Sequence, residues 1–149
     1  MAFGSEISVQ DKVGAEPRAK WGESLAAGFQ ILPDAVFRGQ HLLRLTATDM
    51  VVIANLNQAW WFNDRRPFLQ PATIAKRMGV SERSVQRSLA RLRKKELLRL
   101  VKTKMPDGTI RYAHDLTGLK VVLEKLAQRD IQYSQELRAN REGATNHAM

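Results

Sequence analysis

Residues 71–95 read as two short helices broken by one tight turn, and no other feature limits the fold as much. Pro71 suits the first turn of a helix covering Ala72 to Met78, because its missing N–H is one that a helix start leaves unpaired anyway. Gly79 is placed to supply a left-handed turn. Ser81 then caps the next helix by accepting from a free backbone N–H, and Val85, Leu89 and Leu92 form its buried stripe. After Glu96 the period changes from helical to two: Leu98, Leu100 and Lys102 alternate with Arg99, Val101 and Thr103. Pro106-Asp107-Gly108 is a turn signal, and Thr109 to Tyr112 supplies a returning strand.

Helix, helix, hairpin is the order of a winged helix-turn-helix. The flanking segments extend it. Pro33-Asp34 can open a short helix running to about Gln40. Thr46 or Thr48 can cap a helix over Ala47–Trp60, with Asp49 favourable in its first turn and Met50, Ile53, Ala54, Asn57 and Trp61 at helical spacing. Arg66-Pro67-Phe68-Leu69 reads as a short extended piece. From Thr117 a long helix is expected to about Asn140, with Leu119, Val122, Leu123 and Leu126 on one apolar face. Arg129 and Asp130 interrupt that face; Tyr133 and Leu137 continue it, so the second half either frays or pairs with another subunit. The expected fold class is mainly α with a small β-hairpin wing: a winged helix-turn-helix followed by a long C-terminal helix. The expected organisation is a flexible tail over 1–20, an extension packing on the domain over 21–45, the winged domain over 46–116, the C-terminal helix over 117–140 and a flexible tail over 141–149.

Composition removes several classes of function. A chain of 149 residues with 44% apolar and 26% charged residues is ordinary for one globular domain. No apolar run approaches the roughly 20 residues of a membrane span, and Met1 to Gln10 lacks the order of a secretory signal. Cysteine is absent, which removes disulfides, thiolate catalysis and cysteine-ligated zinc. A cytoplasmic, nucleoid-associated protein is expected.

The net charge of +9 is not spread evenly. Twelve basic residues and three acids lie between Lys76 and Arg111, while the rest of the chain balances, twelve against twelve. A solvated face kept positive for solubility is one explanation; a polyanion partner explains the concentration better. Helical residues advance by about 100° each, so Arg83, Arg87, Ala90 and Lys94 fall opposite the Val85–Leu92 stripe, flanked by Gln86 and Arg91. Guanidinium groups can bond guanine N7 and O6, Gln86 can pair with adenine, and Lys94 can neutralise a phosphate. A recognition helix presents its first turn to bases, which favours Ser81, Arg83, Ser84, Gln86 and Arg87. In the hairpin, Lys102, Lys104, Thr109 and Arg111 flank the turn and can reach the backbone or the minor groove.

The residues Ile74-Ala75, Gly79-Val80-Ser81, Val85 and Leu89, at their spacing, are similar to the helix-turn-helix signature of bacterial regulators and of phage and plasmid replication initiators. Across Leu45 to Leu119 the chain resembles the winged helix-turn-helix domains of prokaryotic proteins, carried by Pro67-Phe68-Leu69, Thr73 to Ser81 and Val85-Gln86-Arg87. That resemblance implies an alanine that lets two helices approach, a glycine that turns the chain and a serine cap. It departs at Glu96, where the family has a glycine before the wing.

The remaining candidates point elsewhere than chemistry. Trp60-Trp61 end a core helix, where Trp61 is expected to be buried and Trp60 partly so, rather than to stack bases. His41, His114 and His147 have no metal-ligand spacing, and His114-Asp115 is expected to be a strand-end pair of polar residues rather than a catalytic one. Neither a Ser-His-Asp arrangement nor a phosphate-cradling glycine loop is legible. The expected function is sequence-specific double-stranded DNA binding as a transcriptional regulator, with helix 81–95 in the major groove and wing 98–112 on the backbone, without cofactor, metal or catalysis. A homodimer through the C-terminal helix is a further expected partner. The rival functions are replication initiation with the same module, RNA binding and a protein-interaction adaptor.

Overall fold

The computed structural model describes residues 15–60 and 68–147, with side chains as far as residue 144. The chain divides into two units, residues 1–31 and 32–149. In the first, α1 (Ala15–Trp21) runs into a 3-10 turn over Gly22–Ala27, where the Ser24 hydroxyl donates to the Trp21 carbonyl at 2.6 Å. Residues 15–20 are therefore helical where a flexible tail is expected; residues 1–14 lie outside the described residues.

The second unit is built from α2 (Asp34–Arg38), α3 (Ala47–Ala59), α4 (Pro71–Met78), α5 (Glu82–Lys94), the antiparallel pair β1 (Arg99–Lys104) and β2 (Ile110–Asp115), and α6 (Thr117–His147). Mainly helical, with a two-stranded hairpin and a long last helix, it has the expected fold class. Its core joins Ile53 and Leu56 of α3, Ile74 of α4, Val85, Leu89 and Leu92 of α5, and Leu119 and Leu123 of α6. Of the segment before Thr46, Val36 and Leu45 are buried in this core.

Each helix boundary has a local cause. Thr46, not Thr48, caps α3: its hydroxyl accepts from Asp49 N at 3.0 Å, and Asp49 Oδ2 accepts from Thr46 N at 3.0 Å. The buried face of α3 is Asp49, Met50, Val52, Ile53 and Leu56; Ala54 and Asn57, expected inside, lie at its margin because the face is centred one residue earlier. Trp60 is half-buried against the core, whereas Trp61 and the Arg66-Pro67 half of the expected extended piece lie outside the described residues.

At the end of α4, Val80 N bonds to Ala75 O at 3.1 Å and Gly79 N to Lys76 O at 3.4 Å. With Gly79 at φ +67°, this is a Schellman turn, the geometry glycine adopts without steric cost. The end of α5 repeats it: Leu97 N bonds to Leu92 O at 3.0 Å and Glu96 N to Arg93 O at 2.9 Å. The left-handed residue there is Glu96, at φ +60°.

The hairpin pairs Arg99 with Asp115 and continues to Lys104 with Ile110. Its return strand starts one residue later and ends three residues later than Thr109–Tyr112, because the pairing persists until Asp115 accepts from Thr117 N at 2.9 Å and opens α6. The start of α6 lies against the end of α5. Leu119 N donates to Leu97 O at 3.0 Å, and a Cβ on Gly118 would fall 2.0 Å from Glu96 O. Arg38 meets Asp130 at 3.9 Å, so the residue that interrupts the apolar face of α6 faces a cation on α2. The helix continues past Asn140 to His147, so residues 141–147 are helical where a tail is expected.

Candidate nucleic-acid interface

Helix α5 stands with its apolar stripe down and its cations outward. Val85, Ser88, Leu89 and Leu92 are buried, while Arg83, Arg87, Ala90 and Lys94 are exposed, as the angular spacing requires. Arg83 and Arg87 have no acidic partner among the described residues. Ser81 is exposed at the N-cap and accepts from Ser84 N at 3.2 Å; the two hydroxyl oxygens are 3.0 Å apart. The first turn is thus ordered before any ligand arrives. Gln86 is exposed but donates to Glu82 Oε1 at 3.2 Å, so its amide must change partner before it can meet a base.

Arg91 corrects the sequence-based expectation. Its Nη2 lies 2.8 Å and its Nε 3.3 Å from Asp49 Oδ1, and the same oxygen accepts from the Ser88 hydroxyl at 2.6 Å. Asp49 is fully buried. Burial pushes its carboxyl up, but bonds from Arg91, Ser88 and the Thr46 backbone outweigh that and hold it below the ordinary carboxylate range. Arg91 is therefore a tie between α5 and α3 rather than a cation without an acidic partner like Arg83 and Arg87. In the sequence, the acid at position 49 has only the dipole effect of a helix's first turn to explain it, and nothing pairs it with residue 91.

The wing is also less uniform than its composition suggests. By the pairing register, Lys102 and Lys104 share one face of the hairpin with Ile110 and Tyr112, while Arg111 lies on the other face with Thr103. All three cations are exposed. At the tip, Asp107 Oδ1 accepts from Thr109 N at 2.9 Å and from its hydroxyl at 2.6 Å, and Gly108 takes φ +87°. Thr109 is thereby committed to the turn. Those bonds from Thr109 hold the Asp107 carboxyl below its ordinary range, which leaves one anion among the wing's cations.

His114 and Asp115 turn away from each other's chemistry. Asp115 bonds Arg99 across the strands at 3.0 Å and caps α6. His114 Nε2 meets Leu69 O at 3.0 Å; a carbonyl only accepts, so Nε2 carries the hydrogen. Among the described residues no group of three His, Cys, Asp or Glu side chains can hold a metal ion, and no helix is long and apolar enough to cross a membrane.

Comparison with known proteins gives a family and a structural likeness. The family model of the DnaD N-terminal domain matches residues 32–136. Among solved structures, the chain is similar to a possible transcriptional regulator from Methanosarcina mazei Go1, at 24% identity over 66% of this chain and 82% of that one, with a TM-score of 0.41. No curated protein matches.

Proposed function

The chain belongs to the DnaD N-terminal domain family, and on that premise we propose that it is a sequence-specific double-stranded DNA-binding protein. Helix α5 enters the major groove, and the β1–β2 hairpin lies on the flanking backbone. The observation that carries this is the pair Arg83 and Arg87: both exposed, both without an acidic partner among the described residues, opposite a buried stripe that fixes their direction. Ser81, Ser84, Gln86 and Lys94 complete the helix surface, and Lys102, Lys104 and Arg111 the wing. The module performs no chemistry and acts in the cytoplasm, on the nucleoid. Two settings suit it, promoter regulation and replication initiation, and the family match favours the second. Occupancy of one origin, rather than of many promoters, in a genome-wide binding map would decide between them.

A homodimer through α6 accompanies this function. Tyr133 and Leu137 resume the face of Leu119, Leu123 and Leu126 two helical turns beyond Leu126, past Asp130, yet both are exposed, at 63% and 40%. Sedimentation at micromolar concentration, with and without DNA, tests it; a monomer in both would count against it.

The direct test of duplex recognition separates reading from anchoring. Arg87→Ala should cost about 1–3 kcal/mol on a selected site and relax preference at one base pair. Lys102→Ala should weaken all duplexes alike and flatten the dependence of log K on log salt by about 0.9. Equal losses from Arg87→Ala on selected and random duplexes would remove its base-reading role, and preference for structured RNA would replace the DNA proposal.

A further inference from the structure

The wing covers one flank of helix α5, and the start of α3 covers the other. Residues of α5 advance by about 100° each, so Gln86 and Arg93 lie to one side of the Arg83, Arg87 and Lys94 face. Ser88, Arg91 and Lys95 lie to the opposite side. Gln86 and Arg93 look toward the hairpin, across a cavity they share with Leu100 and Tyr112. Ser88 and Arg91 look toward α3, where both donate to Asp49. The chain entering α3 on that second flank carries Arg44, a cation outside the basic block between Lys76 and Arg111.

The backbone of Arg44 is fixed from several directions. Lys95 Nζ donates to Arg44 O at 2.5 Å, and Arg44 N donates to His41 O at 3.0 Å. The next residue, Leu45, is buried in the core, and its carbonyl accepts from Gln40 Nε2 at 3.2 Å. Closed in this way, the turn holds Arg44 in the left-handed region, at φ +52°. Glycine would adopt that conformation without the clash a Cβ brings. The turn gains nothing from a long cationic side chain, and strain of this kind is a mark of functional positions. The side chain is exposed and has no acidic partner among the described residues. Asp49, the acid packed on this flank, is fully buried and shared by Ser88, Arg91 and the Thr46 backbone, so it does not neutralise Arg44.

We propose that Arg44 binds a DNA phosphate on the side of α5 away from the wing, so that the duplex is held from both flanks of the helix. The proposal rests on the duplex reading given above and extends it to a residue outside the helix-turn-helix and the hairpin. A helix in the major groove has a phosphate backbone on either side of it. Lys102 and Lys104 serve the wing side, and Arg44 serves the other. A guanidinium matches two phosphate oxygens at once, and a root fixed by the Lys95 bond leaves less freedom to lose on binding. Such a contact sets position and affinity without reading sequence.

The probe is a fluorescent duplex of about 30 base pairs and random sequence, titrated with the full chain across a salt series. Arg44→Gly removes the cation and relieves the left-handed clash, so it separates binding from folding. It should weaken the duplex about fivefold at about 0.1 M salt and flatten log K against log salt by about 0.9. Its melting temperature should equal or exceed that of the wild type. Arg44→Lys restores the charge on the same backbone and should recover most of the affinity and the slope. Combined with Lys102→Ala on the other flank, Arg44→Gly should flatten the slope by about 1.8, because separated contacts add. Wild-type affinity and slope in Arg44→Gly, beside the expected loss in Lys102→Ala, would overturn the anchor and leave the duplex reading standing. So would a loss of affinity accompanied by a lower melting temperature, or an Arg44→Lys variant as weak as Arg44→Gly. A wild-type chain that does not bind the duplex would remove both.

Discussion

Glu96 ends α5 with an L side chain held in the left-handed region, at φ +60°. Two bonds back into α5 fix that geometry, so the residue cannot relax without losing the turn that starts the wing. Its side chain is exposed and makes no ion pair among the described residues. Glu96→Gly should therefore stabilise the protein by about 0.5–1 kcal/mol in chemical denaturation, the lost strain outweighing the added freedom of the unfolded chain. A loss of stability would mean that the side chain holds something the backbone does not reveal. Asp49 shows the opposite limit of sequence reasoning. Its place in a first turn was legible, but its bond to Arg91 spans 42 positions and needs the packing of α3 on α5 to exist. Asp49→Ala removes a cap and leaves Ser88 and Arg91 without their acceptor, and should cost about 3 kcal/mol. Arg91→Ala should cost less, because the Arg91 side chain is partly solvated and Ser88 and Thr46 still serve the carboxylate.

Elements were more legible than their contacts. The helix-turn-helix follows from Pro71, Gly79 and Ser81 because each residue acts on its own backbone, and the hairpin follows from Pro106-Asp107-Gly108 for the same reason. Lengths were less legible: β2 and α6 both outrun their patterns, since strand pairing and helix propagation continue wherever nothing stops them. The seating of α6 was invisible. Gly118 looks like an unfavourable residue in a helix, but its hydrogen lies where a methyl group would meet Glu96 O at 2.0 Å. Gly118→Ala must push the start of α6 away from Leu97 and break the Leu119 N bond, with a cost of about 3 kcal/mol or more. The measurement is paired: melting temperature for the loss, and amide exchange at Leu119 and Leu123 to show that α6, and not α5, is the element released. Equal loosening of both helices would mean that the contact serves the whole core rather than one joint.

At the scale of the molecule, two buried titratable groups tie stability to pH, and their directions set two separate windows. His114 is held below the ordinary histidine value chiefly by burial; the Leu69 carbonyl opposes this and is outweighed, while Arg93 adds to the lowering. The unfolded chain, with a histidine pKa of about 6.5, therefore takes up a proton that the folded protein refuses. Stability is complete above about pH 6.5, falls as pH drops below it, and stops falling on this account once the pH passes the lowered folded value. Asp49 then governs the acid side. Its folded carboxyl also titrates below the unfolded value of about 3.9, so its contribution is complete above that pH and is lost as pH falls through the folded value. The free energy of unfolding should thus be flat above neutrality, decline below about pH 6.5 with a limiting slope near 1.4 kcal/mol per pH unit, and decline again below about pH 4, and the melting temperature should follow the same course. His114→Gln keeps a donor for Leu69 O and removes the titration, so it should abolish the first decline and leave the second. If wild type and His114→Gln fall in parallel between about pH 7 and 5 at constant ionic strength, the buried imidazole is not the source.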